Sequence, residues 1–261
     1  MPSANPAFTR NPVFNGKGAA DAAPTMSSTQ LQDLYERPSA TPADTSRMTY
    51  DDAIVKTALL FGVLLAGAVV GWIVPGLFIV GALVGLVLGL VNSFKREPSP
   101  ALIIAYAAAE GLFVGGISAF FETKYEGIVV QAVLATLAVF GTTLALFANG
   151  KIRASKRATK IFLIAMVGYA VFSLLNFVLM IAGVFPADNV FGLRSGIFGI
   201  IIGVLAVIMA AYSLVLDFDF VQRGVKTGAP RKYGWSAAFG LTVTLVWLYV
   251  ELLRLIAIFR N

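Results

Sequence analysis

Five ionisable side chains within or at the ends of the long apolar segments of this chain are candidates for chemistry, while Lys56, near the start of the first segment, can reach the membrane interface. Glu110 is in the middle of one segment, Asp217 and Asp219 end another, and Glu251 and Arg254 belong to the last. A charge inside a hydrocarbon layer costs at least about 2.5–3.5 kcal/mol on insertion scales, so such residues are functional candidates by default. Carboxylates in this setting could bind protons or line a path for cations.

The first three acids leave a structural and a functional interpretation open. Glu110 begins the glycine-rich stretch EGLFVGG. It is either a neutral, hydrogen-bonded carboxyl in a helix contact or a pore-lining, proton-binding group. Asp217 and Asp219 are two residues apart and therefore point in different directions from a helix. We expect Asp217, the deeper of the two, to point into the protein and Asp219 to be solvated beside a basic loop.

Glu251 and Arg254 are three residues apart, so they lie on one face of a helix, where they can pair. The pair could be purely structural, because pairing lowers the cost of both charges in an apolar setting. It could also belong to an ion pathway. The sequence leaves both interpretations open.

The composition is that of a membrane protein. Of the 261 residues, 58% are hydrophobic and 13% charged, the mean hydropathy is +0.82, and cysteine and histidine are absent. Disulfides, thiolate metal sites and histidine general bases are therefore excluded. We predict that the protein is not an enzyme and holds no resident metal or cofactor. Two acids sharing a proton would, however, suit an intramembrane aspartyl hydrolase.

The apolar residues fall into segments of about twenty, the length of helix that crosses a hydrocarbon layer about 30 Å thick. Apolar sequence from residue 53 to residue 94 is broken only by Pro75-Gly76, a turn dipeptide, and is interpreted as two spans. We predict an all-α bundle of seven transmembrane helices within residues 49–261. The predicted spans are 53–74, 76–94, 101–121, 127–148, 161–185, 193–216 and 235–259.

Basic residues alternate between successive loops and so orient the bundle. Eleven Lys and Arg residues lie in the second, fourth and sixth loops, against only Lys124 and Arg194 in the others. Because cytoplasmic loops carry the excess of Lys and Arg, we predict a cytoplasmic N-terminus and an extracytoplasmic C-terminus in the plasma membrane. These loops account for much of the net charge of +6, so no nucleic-acid partner is expected.

Residues 1–48 differ in composition from the rest of the chain. They are rich in Pro, Ser, Thr, Asn and Ala, have no apolar stripe, and are predicted to form a disordered cytoplasmic tail. Within them, Asn5-Pro6-Ala7-Phe8 is followed by the similar Asn11-Pro12-Val13-Phe14. The repeat is either a docking motif for a partner, such as another membrane protein, or a coincidence of composition.

Glycines recur at four-residue spacing in several of the predicted spans. This spacing lets helices approach closely in lipid. We expect these glycines to pack the seven helices against one another within the chain. They are Gly67 and Gly71; Gly81, Gly85 and Gly89; Gly111 and Gly115; and Gly199 and Gly203.

The order of these features resembles the Bax inhibitor-1 family over about residues 48–259. The resemblance is carried by the seven spans, EGLFVGGIS in the third, VLDFDFV at the end of the sixth and LYVELLRL in the seventh. With its longer polar tail, the chain is similar to a bacterial, actinobacterial branch of this family. The resemblance implies a cation-leak protein, chiefly for calcium, with a pH-sensitive carboxylate pair on the last two spans. As an alternative it implies a regulatory protein that restrains a partner such as a membrane protease.

By this resemblance the carboxylate pair is Asp217 with Glu251, and the cation that holds the closed state is Arg96, with Lys95 as its neighbour. Two close carboxylates cannot both ionise cheaply, so they would titrate as a unit. The chain departs from the family at Glu251, where aspartate is usual, and at Arg254, where a neutral residue is common. Arg254 would favour an ionised Glu251 and weaken its response to pH.

The link between the last two spans is also longer than is usual in the family, which affects whether the two acids can meet. With straight helices and Trp235 at the interface, Glu251 would lie about 10 Å further across the bilayer than Asp217. The two carboxylates could then meet only if the last helix begins outside the hydrocarbon or along its surface.

Overall fold

The computed structural model describes residue 32 and residues 46–186, 189 and 191–260. Within this part of the chain, seven long α-helices follow one another, each long and apolar enough to cross a membrane. The all-α, seven-span prediction is therefore confirmed. The helices are α1 (Tyr50–Ile73), α2 (Leu77–Phe94), α3 (Pro100–Lys124), α4 (Ile128–Ala148), α5 (Lys156–Ile181), α6 (Gly196–Lys226) and α7 (Gly234–Arg260). Two short 3-10 turns, Gly192–Arg194 and Arg231–Tyr233, precede α6 and α7. The repeated Asn-Pro-x-Phe elements lie outside the described residues.

Local sequence signals set several of the helix ends. The Thr49 side chain caps α1 by accepting a hydrogen bond from the Asp52 amide at 3.0 Å. Pro75 and Gly76 form the turn between α1 and α2, and Pro100 begins α3, where its missing N–H costs nothing. The hairpin predicted at Pro75-Gly76 is present.

The fifth and sixth spans differ from their predicted bounds. Helix α5 ends at Ile181, and α6 continues to Lys226 instead of ending at residue 216. At 31 residues, α6 is about 46 Å long and exceeds the hydrocarbon thickness. Hydropathy detects only the apolar part of a helix, whereas the main-chain hydrogen bonds of α6 continue through its polar last turns. Asp217 therefore lies inside α6 and not at its end.

Helix α7 is the central helix of the bundle. Of the residues in its apolar stretch 72% are buried, against 11% for α2 and for α5. It packs against α1, α3, α4 and α6, whereas α2 packs mainly on α3. Helix α5 contacts α6 and the Gly192–Arg194 turn at the edge of the bundle. Side chains on α7 are therefore the ones most completely surrounded by protein.

The glycine spacing serves close packing within the chain. A Cβ atom on Gly115 would lie 2.0 Å from the Ala68 carbonyl oxygen, and one on Gly71 would lie 2.3 Å from that of Leu112. These contacts join α1 to α3. A Cβ on Gly81 of α2 would similarly meet the backbone of α3 at 2.6 Å. The backbones approach so closely at these points that no larger residue fits without movement.

Residues 46–48, which the sequence analysis placed in the tail, pack on the bundle. The Met48 amide donates to the Ala229 carbonyl at 2.8 Å, and the Arg231 amide donates to the Ser46 carbonyl at 2.8 Å. The Met48 side chain is 2% exposed. The boundary drawn after Met48 is therefore a correction: the packed part of the chain begins by Ser46.

Candidate functional site

Asp217 lies in the contact between α6 and α7. Its Oδ2 accepts a hydrogen bond from Thr244 Oγ1 on α7 at 2.6 Å. Ser213, one turn earlier on α6, shares a hydrogen bond with the same threonine hydroxyl at 3.2 Å. Gly240 provides the space, because a Cβ there would lie 3.0 Å from Asp217 Oδ1. We call these four residues the Asp217 site. The carboxylate accepts directly from one neutral hydroxyl, that of Thr244, and the Ser213 hydroxyl bonds to that threonine.

Asp219 has a different environment from Asp217. Its Oδ2 pairs with Arg223 Nε at 2.8 Å, four residues later on the same helix. The arginine is largely exposed, so the pair lies at the solvated end of α6. The two aspartates thus point in different directions, and only Asp217 reaches α7.

Glu251 lies inside the bundle on α7 and is 3% exposed. Its carboxylate accepts hydrogen bonds from the Tyr169 hydroxyl of α5 and from Arg254 Nη1, the latter at 3.0 Å. Arg194 Nη1 lies 3.5 Å from Glu251 Oε1. Two guanidinium groups and one phenol therefore surround one carboxylate. We call Tyr169, Arg194, Glu251 and Arg254 the Glu251 cluster.

Two members of this cluster, Tyr169 and Arg194, were not among the candidates named from the sequence, and Arg194 is the charged one. It was counted as a loop charge, but its 3-10 turn folds back against α5 and α6, and the residue is 5% exposed. Its Nη2 donates to Ser173, and its guanidinium lies 4.8 Å from the centre of the Tyr169 ring. Asn176 fixes this turn by accepting from the Leu193 amide at 2.7 Å.

One sequence signal could have indicated this contact. Tyr169, Ser173 and Asn176 are separated by four and three residues in an otherwise apolar helix. That spacing places polar groups on one face of α5, which in lipid must turn toward protein. All three contact Arg194, Glu251 or the backbone just before Arg194. These three residues of α5 indicate that the helix contacts a polar group, but they do not indicate which residue carries it.

The structure does not bring Asp217 and Glu251 together, which corrects the carboxylate pair expected from the resemblance. Asp217 is level with Thr244, seven residues before Glu251 on the continuous helix α7, which is about 10 Å along its axis. The antiparallel register explains the separation: farther along this contact, Gly203 of α6 packs against Leu255. The offset of about 10 Å between Asp217 and Glu251, which the longer link suggested, is therefore present. The way in which α7 begins does not bring the two acids together.

Lys95 and Arg96, the expected gating cations, lie exposed at the end of α2. Neither forms an ion pair with another described residue. The next residue, Glu97, instead pairs with Lys232 at 2.7 Å, and this hydrogen bond and charge hold the pKa of Glu97 below its usual value. In this structure the α2–α3 loop is thus joined to the start of α7 and not to Asp217.

Glu110 lies apart from Asp217 and Glu251, at the contact between α2 and α3. A Cβ on Gly85 of α2 would lie 3.0 Å from its Oε1, so the glycine makes room for the carboxyl group. Tyr106, one turn earlier on α3, interacts with it. Three acids are therefore held in the bundle by three separate helix contacts.

The spanning helices and the polar groups enclosed between them define a multi-pass α-helical membrane protein. Comparison with known families is more specific. The family model described as Bax inhibitor 1 like matches residues 5–261, and the chain belongs to this family. The resemblance found in the sequence is thereby confirmed, while the actinobacterial branch stays a prediction. No match to a curated protein was found.

Proposed function

We propose that this protein is a cation-leak pathway of the plasma membrane, carrying calcium, whose activity changes with pH through Asp217. Family membership supports the general class. The observation that carries the proposal is the Asp217 carboxylate, which lies in the apolar contact of α6 with α7 and bonds to the Thr244 hydroxyl. Hard cations such as Ca²⁺ bind to carboxylate and hydroxyl oxygens, so this site offers the ligand type that the cargo needs.

The neutral partner of Asp217 is what makes this acid suited to sensing protons. A proton gained or lost there changes the net charge of the helix contact, because no cation among the described residues pairs with Asp217 to offset it. An ionised carboxylate in an apolar contact favours water or a cation beside it, while a neutral one favours close packing of the helices. In the proposed mechanism, the protonation of one carboxylate, Asp217, therefore changes how closely α6 and α7 pack.

Calcium flux into proteoliposomes, measured with an enclosed dye from about pH 5 to pH 8, tests this proposal. We expect flux through the unaltered protein to depend on pH, and Asp217→Asn to remove most of that dependence. Asp219→Asn is the matched control, two residues away on the same helix, and should behave like the unaltered protein. Absence of calcium flux at every pH would overturn the leak, and a pH-dependent Asp217→Asn variant would overturn the assignment of the sensor.

The proposal also includes the orientation with a cytoplasmic N-terminus, which rests on the basic loops. Since the chain has no cysteine, single engineered cysteines give an unambiguous readout. In intact cells, a membrane-impermeant thiol reagent should label Glu126→Cys and leave Lys156→Cys unlabelled. The reverse pattern would invert the topology.

The alternative function, restraint of a partner such as a membrane protease, would use the tail. The tail's Asn-Pro-x-Phe elements lie outside the described residues, so no contact favours this alternative. Deleting residues 1–45 separates the two functions: a leak protein keeps its flux, whereas a docking protein loses its co-purifying partner. We further propose that the protein is not an enzyme. Cleavage of a labelled transmembrane peptide, abolished by Asp217→Asn, would contradict this.

A further inference from the structure

A cleft of about 390 Å³ opens where the α2–α3 loop meets the start of α7. It is lined by cations and by apolar rings and contains no lining carboxylate. The lining residues are Lys56, Pro98, Pro100, Arg231, Lys232 and Trp235. The leak mechanism uses none of them, so the cleft needs a separate explanation.

The cations of the cleft retain donors that the protein does not use. Asp52 binds Lys56 Nζ at 2.6 Å and Arg231 Nε at 2.9 Å. An arginine carries four further N–H donors on its terminal nitrogens, and their planar arrangement matches a phosphate group. Lys232 pairs with Glu97, which is 69% exposed, and lies 5.8 Å from the centre of the Tyr233 ring. A fully exposed pair of this kind contributes little to stability, so an incoming anion can readily replace the carboxylate.

The cleft lies where lipid headgroups meet the protein. Lys56 is in the second turn of α1, and its neighbours Ile54 and Val55 expose their side chains on the lipid-facing surface. Trp235 begins α7 and packs beneath the Lys56 ammonium, 5.4 Å from it. Tryptophan and lysine at a helix end are the usual residues of the membrane interface. An acyl chain could extend from the cleft along the apolar surface of α1, whereas a free anion would gain nothing there.

We propose that this cleft binds the phosphate headgroup of an anionic phospholipid, with Arg231 and Lys232 as the phosphate ligands and Trp235 against the glycerol region. Basic pockets between transmembrane helices are suited to such headgroups. Binding would bridge the α2–α3 loop to the start of α7, in place of the ion pair between Glu97 and Lys232. The inference concerns lipid recognition and goes beyond the leak activity.

The test is lipid binding to the full chain in nanodiscs of phosphatidylcholine with increasing phosphatidylglycerol, followed by native mass spectrometry. The variant is Arg231→Gln with Lys232→Gln. The matched control is Lys156→Gln with Arg157→Gln, two adjacent exposed cations that begin α5 and line neither this cleft nor the Glu251 cluster. Each cation that contacts the bound anionic headgroup contributes about fivefold to the affinity, whereas a cation elsewhere on the surface contributes much less.

We expect the cleft variant to bind phosphatidylglycerol about 25-fold more weakly than the unaltered protein, with the control within about twofold to threefold. Equal losses in the two variants would show diffuse surface attraction and overturn the proposal. Inorganic phosphate that binds the unaltered protein as tightly as the lipid would identify a free-anion site instead, which also overturns it.

Two further measurements keep the result decisive if the double variant folds poorly. Lys232→Gln alone changes only an exposed side chain and should still weaken binding about fivefold. In the unaltered protein, a photoactivatable phosphatidylglycerol should label peptides that contain Pro98–Pro100 or Arg231–Trp235. Labelling spread evenly over the lipid-facing helices would contradict the inference.

Discussion

The Asp217 site and the Glu251 cluster hold the same chemical group in the same bundle by different means. Asp217 accepts from the neutral hydroxyl of Thr244, whereas Glu251 is paired with Arg194 and Arg254 and accepts from Tyr169. Both carboxylates lie on or against α7, about two helical turns apart. The two carboxylates therefore differ in their hydrogen-bonding and ion-pair partners, and not only in their depth or burial.

The difference in partners assigns different roles to the two acids. A carboxylate with neutral partners can change its charge and so alter the contact around it. A carboxylate held by a buried cation from another segment instead acts as a tether, because its loss would leave that arginine unpaired. The Glu251 cluster attaches α5 and the Gly192–Arg194 turn to α7, and α5 has little other packing. We accordingly place pH response at Asp217 and cohesion of the bundle at Glu251.

The largest effect is expected from Glu251→Gln. Glutamine keeps the size of the side chain and can still bond to Tyr169, but it leaves the Arg194 guanidinium buried without its counter-charge. Breaking a buried pair in this way costs about 3–5 kcal/mol. Thermal unfolding in detergent should show a large loss of stability. Glu97→Gln, which breaks an exposed pair, is the control and should change the stability little.

A rescue experiment separates the tether from simple packing. Replacing Arg194 and Glu251 together by leucine removes both buried charges, and such replacements are often neutral or stabilising. The double variant should therefore be more stable than Glu251→Gln. If it is less stable, the cluster does not act as a charge pair, and the contrast with Asp217 fails.

An intermediate effect is expected from Thr244→Val, which removes the hydroxyl from the Asp217 site and preserves its shape. The hydroxyl bonds to Asp217 and to Ser213, and the loss of these two hydrogen bonds should cost about 1–3 kcal/mol. Calcium flux should also change its pH dependence, because the carboxylate loses its 2.6 Å partner. Thr242→Val is the control, since that buried hydroxyl bonds only to the Ala238 carbonyl of its own helix. An equal flux change in both variants would contradict the role of the site.

The smallest effect is expected from Arg254→Gln. The arginine is 26% exposed and its partner Glu251 keeps Arg194, so no buried charge is left alone. Unfolding should show a loss of about 1 kcal/mol or less. A loss as large as that of Glu251→Gln would mean that Arg254, and not Arg194, neutralises the carboxylate. In that outcome the stabilising ion pair would lie within α7 and would not join the Gly192–Arg194 turn to it.

Much of the architecture follows from local sequence. Twenty-residue apolar segments and the Pro75-Gly76 turn predicted the spans, and the glycine spacing predicted close helix contacts within the chain. The end of α6 was missed because hydropathy does not mark a helix that continues into water. Arg194 was missed for a related reason: a single arginine between two apolar segments looks like a loop charge until the turn that carries it is seen to fold inward.

The sequence by itself determined that this protein crosses a membrane seven times, because hydropathy and turn signals sum over neighbouring residues. It also indicated which acids would be costly to bury. Only the tertiary structure decided which partner each acid has. The partner of each acid depends on the register and rotation of helices that are far apart in sequence. Asp217 and Glu251 lie about two turns apart along the contact of α6 with α7, so the aspartate bonds to a hydroxyl and the glutamate pairs with an arginine.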